Sequence, residues 1–263
     1  MTRLTELSRS VAGARVVVTG AASGMGRSTA HLFADEGAHV VVADVTAEGV
    51  ARVVDEIGSA HGPGRAIGVT ADVSVSADRT RLVESCVSAF GGLDILVNNA
   101  GISRVSSVFS DDATFTANWD ATVAVNLSAH AHLIRAALPH LLAAPHGGRV
   151  INIASTEAIV ATGGLAAYTA AKHGVVGLTK SFAVELGGRN VTVNAVCPGP
   201  IDTGMTAGVP EDKRQKYVRR KVPLRRYGIP EEVAHMTLSI ALPAMRFMTG
   251  SVVVVDGGLV VNH

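Results

Sequence analysis

Cysteine is almost missing from this chain: two occur in 263 residues, Cys86 within an apolar helical pattern and Cys197 just before a proline. Neither belongs to a C-x-x-C pair, which excludes a disulfide framework and fits a reducing cytoplasm. Long hydrophobic runs are missing too. No stretch reaches the roughly 18 uninterrupted apolar residues of a membrane span. Residues 1–15 mix Arg3, Glu6, Arg9 and Arg15 with short apolar steps, unlike the continuous core of a signal peptide. A soluble, cytoplasmic protein without a membrane partner is expected. Excess charge is absent: the formal net charge is +1 with 17% charged residues, so nucleic acid is not an expected partner. Metal-ligand spacing is lacking, since His130 and His132 stand two apart and point in different directions on a helix. There is no internal repeat and no low-complexity linker.

What the chain does have is 48% hydrophobic content, enough to bury a sizeable core. Short β-branched runs recur at 16–18, 40–42, 67–70, 93–97, 150–153, 191–196 and 252–255, the pattern of strands buried on both faces. Helical stretches lie between them at about 24–36, 46–58, 76–90, 112–143, 166–187 and 230–241. This alternation predicts an α/β fold: one doubly wound parallel sheet of about seven strands flanked by helices, a single domain over 1–263. The segment 202–226 interrupts the alternation and holds Lys213, Arg214, Lys216, Arg219, Arg220, Lys221, Arg225 and Arg226. It is expected to be a helical insertion over the site, a substrate lid, its basic residues reading equally well as a solvated helix face.

The first strand runs into Thr19-Gly20-Ala-Ala-Ser23-Gly24-Met25-Gly26 and then a helix. A strand, a glycine-rich turn and a helix N-terminus together make a dinucleotide phosphate site of Rossmann type. Gly20 permits the turn, Gly24 lets backbone approach the pyrophosphate, Gly26 allows close packing, and the first N–H groups meet the anion. Asp44 ends the second strand, where a carboxylate accepts hydrogen bonds from ribose hydroxyls and repels a 2′-phosphate, favouring NAD over NADP. Asp44 or Thr46 could also begin the next helix as a cap. Asp72 and Val73, after the third strand, are placed to reach the adenine, although an aspartate there is also an ordinary turn residue.

Tyr168 and Lys172 stand four apart on a helix and so share a face, with Ser155 thirteen residues upstream. An ammonium beside a phenol favours phenolate, turning a group of pKa about 10 into a usable base. Ser155 suits stabilisation of charge on a reacting oxygen. No G-x-S-x-G elbow surrounds it, so nucleophilic attack by the serine is not expected.

Taken in order, Thr19-Gly-x-x-x-Gly-x-Gly26, Asn98-Asn99-Ala100-Gly101, Asn126, Ser155, Tyr168-x-x-x-Lys172, Pro198-Gly199-x-x-x-Thr203 and Asp256-Gly257-Gly258 resemble the short-chain dehydrogenase/reductase family, on its NAD-preferring, alcohol dehydrogenase-like branch. The resemblance spans Thr19 to Gly258. It implies Tyr168 as general acid/base and as a cofactor contact together with Lys172, which binds the nicotinamide ribose, and Asn126 holding a water in a proton relay. It further implies Asn99, Ala100 and Gly101 in the cofactor wall, with Pro198, Gly199, Ile201 and Thr203 closing over the nicotinamide. Assembly into a homotetramer or dimer through helices 112–143 and 166–187 and the last strand is part of the same expectation. The partner is then a secondary alcohol or ketone, met by Ser103, Arg104, residues 156–161, Cys197 and the lid. Arg104 or Glu157 would meet a second polar group or point to solvent. A 3-oxoacyl-thioester reductase shares every motif, with Arg189 at a matching position. A non-catalytic dinucleotide-sensing protein is the alternative of another class.

Overall fold

The computed structural model describes residues 4–262; of the expected domain, Met1, Thr2, Arg3 and His263 lie outside the described residues. Seven strands form one parallel sheet: β1 Arg15–Thr19, β2 His39–Asp44, β3 Ala66–Thr70, β4 Ile95–Asn98, β5 Gly148–Ile153, β6 Val191–Pro198 and β7 Val252–Val255. Their order is β3-β2-β1-β4-β5-β6-β7. The β-branched runs become strands because both faces are covered. Val16, Val18, Val40 and Val42 pack with Phe33 and Val233 on one side, while Val17, Val41 and Val150 pack with Leu82, Leu133 and Leu141 on the other. Each such buried aliphatic side chain stabilises the fold by about 1.5–3 kcal/mol.

Helices cover the faces: α1 Gly24–Asp35, α2 Ala47–His61, α3 Ser76–Phe90, α4 Asp112–Val123, α5 Ala129–Leu142, α6 Ala166–Leu186, α7 Glu211–Lys221 and α8 Pro230–Ala241. The strand order reverses between β1 and β4, and a crevice at the carboxyl ends of the strands on either side of such a reversal is where dinucleotides bind. The expected helix 112–143 is continuous in direction but contains a π-helical segment, Ala124–Ser128, between α4 and α5. That extra backbone residue per turn places Asn126 inward and fully buried. The 202–226 segment is turns followed by α7, pinned by buried Val218 and Val222. Glu211 and Asp212 in its first turn and Arg219, Arg220 and Lys221 in its last suit the helix dipole. No helix among the described residues is long and apolar enough to cross a membrane.

Candidate active site

The glycine loop closes on itself at distances that side chains would not allow. Gly20 has φ +64°, and a Cβ there would lie 2.8 Å from Cα of Ala100. A Cβ on Gly26 would lie 2.1 Å from the Gly20 carbonyl oxygen. Ser23 caps α1 without a side-chain bond, and the first amide to find a carbonyl is Arg27, which donates to Ser23. Among the described residues, the N–H groups of Gly24, Met25 and Gly26 have no acceptor. Three free donors at the positive end of a helix fit a pyrophosphate. Thr203 closes the other side, its Cγ2 3.3 Å from where a Gly24 Cβ would sit.

Asn99 spends its side-chain amide on the neighbouring strand and loop. Its Nδ2 donates to the carbonyls of Thr19 at 2.9 Å and Gly20 at 3.2 Å, while Thr19 Oγ1 accepts from the amides of Asn99 and Ala100 at 3.0 Å each. The turn needs these bonds because backbone carbonyls at a tight loop are otherwise unpaired. Thr19 and Asn99 therefore fix the loop's shape, a role that neighbours in the chain do not disclose.

Beside the loop is a hollow of about 300 Å³ whose walls bring together Gly20, Asp44, Asp72, Val73, Ala100 and Gly101. Asp44 Oδ2 accepts from the Ala22 amide at 3.1 Å, and Oδ1 accepts from the Thr46 amide at 3.2 Å and hydroxyl at 3.0 Å. A carboxylate has about four lone-pair sites, so it still has capacity for a ribose hydroxyl. Asp72 Oδ1 accepts from the amide and hydroxyl of Ser74 at 2.8 and 2.7 Å, making it a turn residue as well as a wall residue. Two cations border this region. Arg104, exposed, lines the same hollow. Arg52 reaches from α2 to donate to the Ala22 carbonyl at 2.8 Å, a contact that no motif in the sequence marks.

Tyr168 lies in the first turn of α6, whose start is held from a distance. Ser106, fully buried, accepts from the Ala167 amide at 2.8 Å. Ser155 follows β5, its Oγ accepting from the Glu157 amide at 3.1 Å, and it favours the ionised form of the Tyr168 phenol. Lys172 is buried; its Nζ lies 5.6 Å from the centre of the Tyr168 ring and donates to the Ile153 carbonyl at 2.7 Å. The expected lowering of the phenol by the ammonium is not what this structure shows. Burial raises the Tyr168 pKa above its ordinary value, outweighing Ser155, and the Glu157 carboxylate adds to the rise. The ammonium sits across the ring on a carbonyl, and burial pulls its own pKa down to about 8.

Asn126 is clamped rather than free. Its Oδ1 accepts from the Ile102 amide and its Nδ2 donates to the Ile102 carbonyl, both at 2.8 Å. A Cβ on Gly101 would lie 3.5 Å from Asn126 Oδ1 and 3.8 Å from Lys172 Nζ, so the dinucleotide hollow and the catalytic candidates adjoin. A Cβ on Gly174 would lie 2.8 Å from Leu127 Cδ2; its absence lets α6 approach the π-helical segment. His130 is buried beside Asn152 with neither ring nitrogen in hydrogen-bond geometry among the described residues; burial first, then the charge of Lys172, hold its pKa down at about 3. It is a neutral packing residue. No group of residues suited to a metal ion occurs among the described residues, and Cys86 and Cys197 are free and buried.

The far wall comes from β6 and the segment after it. Pro198 ends β6, Gly199 donates its amide to the Val255 carbonyl at 2.9 Å, and Ile201 pairs with Gly228. Thr206 ties the turn, its one hydroxyl proton shared between the Ile201 and Thr203 carbonyls at 2.8 and 3.0 Å. At Gly257, with φ +65°, a Cβ would meet Val222 Cγ1 at 2.8 Å, so Asp256-Gly257-Gly258 backs the segment that carries α7. Tyr217 of α7 lies close enough to Glu157 and Tyr227 for their charges to help raise its pKa, after burial. Two close approaches connect these parts: Gly101 stands beside Asn126 and Lys172, and Thr203 meets Gly24 across the loop.

Residues 20–260 match the family model described as enoyl-(acyl carrier protein) reductase. The chain is 39% identical to the 3-oxoacyl-(acyl-carrier-protein) reductase of Thermotoga maritima over 93% of this chain and 97% of that protein. It is 38% identical to the cyclohexanol dehydrogenase of an Acinetobacter species, over 92% of each. Among solved structures, a dehydrogenase/reductase from Sinorhizobium meliloti matches with a TM-score of 0.87 at 36% identity, covering 96% of this chain and 97% of that one.

Proposed function

This chain belongs to the short-chain dehydrogenase/reductase family, and from that premise we propose an NAD-dependent enzyme that interconverts a secondary alcohol and a ketone. That it is an oxidoreductase using a nicotinamide dinucleotide follows from the family; the choice of NAD and of an alcohol is the proposal. The observation that carries it is the meeting of Ser155, Tyr168 and Lys172 beside a hollow that ends at the Asp44 carboxylate. A dinucleotide held by the glycine loop and this hollow would supply hydride transfer and, in its oxidised form, positive charge near the phenol. Tyr168, as phenolate, takes the hydroxyl proton of the alcohol, and as phenol returns it to the ketone oxygen. Ser155 donates to that same oxygen and steadies its charge. Lys172, anchored on the Ile153 carbonyl, would hold the cofactor ribose with its remaining N–H groups. Asn126, immobilised on Ile102, sets the inner wall through which a proton leaves.

Exposed apolar side chains at Ile159, Val160 and Met205, near Ser155 and Thr203 in the chain, support a modest carbon skeleton, with the 202–226 segment as its lid. Half-exposed valines along the edge strand β7 favour assembly into a homotetramer or dimer. The similarity to 3-oxoacyl-(acyl-carrier-protein) reductases keeps a thioester substrate as the second reading. One panel separates them: secondary cyclic and acyclic alcohols and their ketones, beside a 3-oxoacyl thioester, each with NAD and NADP forms. Faster turnover of alcohols with NAD supports the proposal. Preference for the thioester with NADPH overturns it, and no turnover of any member favours a sensing protein.

A further inference from the structure

At the end of the sheet opposite the glycine loop, β1, β4 and β5 begin around a cavity of about 330 Å³. Val11, Ile95, Ala241 and Pro243 supply apolar wall, and Arg149, the second residue of β5, lines it at 3% exposure. Among the described residues its guanidinium has no counter-ion. Nη1 donates to the Gly148 carbonyl at 2.9 Å, Nη2 to the His146 carbonyl at 3.0 Å, and Nε has no partner among the described residues. Asp94 also borders the cavity, but its carboxylate is taken by the amide, Nε and Nη2 of Arg15. The charge acting on Arg149 is that of Arg246, of the same sign; with burial, which is the larger cause, it pulls the guanidinium below its ordinary pKa.

A buried charge satisfied by two carbonyls is costly, because backbone dipoles offset only part of the lost hydration. Of five guanidinium N–H groups three remain unused. The other polar lining repeats this bias toward donors. The hydroxyls of Ser8 and Ser10 have each already accepted a backbone amide, at 3.1 Å, leaving their protons to give. Donors around a cation in an apolar chamber call for a monoanion with an apolar body. A phosphate has no apolar body to cover the Val11, Ile95, Ala241 and Pro243 wall, and a chamber at the small end of ligand sites holds a compact molecule. We propose that this cavity is a second binding site, for a small aliphatic carboxylate whose head pairs with Arg149. It is separate from the crevice described above, since β5 runs from Arg149 at this end to Ile153, the carbonyl partner of Lys172, at the other.

Hexanoate, hexanol and inorganic phosphate, titrated into the whole protein by calorimetry and thermal unfolding, test this. Hexanoate is expected to bind at one saturable site and raise the unfolding midpoint, with hexanol and phosphate at least tenfold weaker. Arg149→Met should weaken hexanoate at least tenfold while unfolding, without ligand, no lower than the natural protein, because it removes an unpaired charge. Ala12→Trp, at an exposed residue on the cavity rim, should also weaken hexanoate tenfold with Arg149 intact. Should Arg149→Met fail to fold, Ala12→Trp decides alone. No hexanoate binding, equal binding of hexanol, preference for phosphate, or binding undiminished in either folded variant overturns the proposal.

Discussion

Replacing Asp44 with asparagine isolates the charge on which cofactor choice is argued to rest. The side chain keeps its size, and its carbonyl oxygen can still accept from the amide and hydroxyl of Thr46. Its NH2 group would then face the Ala22 amide, donor against donor, so the 3.1 Å bond from that amide is lost. That costs about 1 kcal/mol of stability. For the cofactor, the carboxylate accepts from a ribose hydroxyl in a charge-assisted bond, and its loss should weaken NAD by about 1.5–3 kcal/mol, roughly 10- to 150-fold. A 2′-phosphate has the opposite response. At about 5 Å, two like unit charges repel by roughly 1–3 kcal/mol for an effective dielectric between 80 and 20. Removing one should therefore improve NADP by about 5- to 150-fold. Arg52 and Arg104, already near the loop and hollow, would add attraction once the carboxylate is neutral. The assay is kcat/KM for NAD and for NADP with one saturating alcohol, in the natural protein and in Asp44→Asn. The expected result is an NAD-preferring enzyme whose ratio moves toward NADP by at least 30-fold. A natural protein that already prefers NADP, or a ratio that moves less than threefold, refutes the reasoning, because then Asp44 only shapes the loop.

Other outcomes follow from the same geometry. Glu157→Gln removes a negative charge that helps keep the Tyr168 pKa up. The rising limb of the pH–rate profile for alcohol oxidation, where phenolate forms, should therefore move to lower pH; an unmoved or higher limb contradicts this. Gly26→Ala would place a methyl 2.1 Å from the Gly20 carbonyl, and the overpacking should cost about 1–3 kcal/mol or more. Thermal unfolding and NAD titration should show both stability and cofactor affinity falling, whereas a neutral result would mean that the loop yields. Asn126→Ala breaks both bonds to Ile102 and opens the π-helical segment. Turnover should drop at least tenfold while NAD affinity changes less than threefold, and unchanged turnover would remove Asn126 from the site.

Much of this architecture was legible because parallel strands buried on two faces must be written as unbroken β-branched runs, and Val16 to Val18 and Val40 to Val42 are such runs. The helix over 112–143 was legible in extent. Its π-helical segment was not, since one extra backbone residue leaves the apolar pattern nearly unchanged, yet it is what turns Asn126 inward. The four-residue spacing of Tyr168 and Lys172 disclosed a shared face but not the partner of the ammonium, the Ile153 carbonyl on a neighbouring strand. Burial, a property of the assembled fold, also reversed the expected direction of the phenol. The partners of Asn99 were hidden for a related reason. Which side of a turn a residue meets depends on strands that lie about 80 positions away, as the Thr19 to Asn99 bonds show.

The central claim is that the Tyr168 phenol carries the proton while the dinucleotide is held by other residues. Turnover and NAD affinity of Tyr168→Phe, measured side by side on the folded protein, test it most directly. The account predicts turnover reduced by about 10²–10⁴-fold with the NAD dissociation constant changed less than fivefold. Turnover within tenfold of the natural enzyme would contradict it.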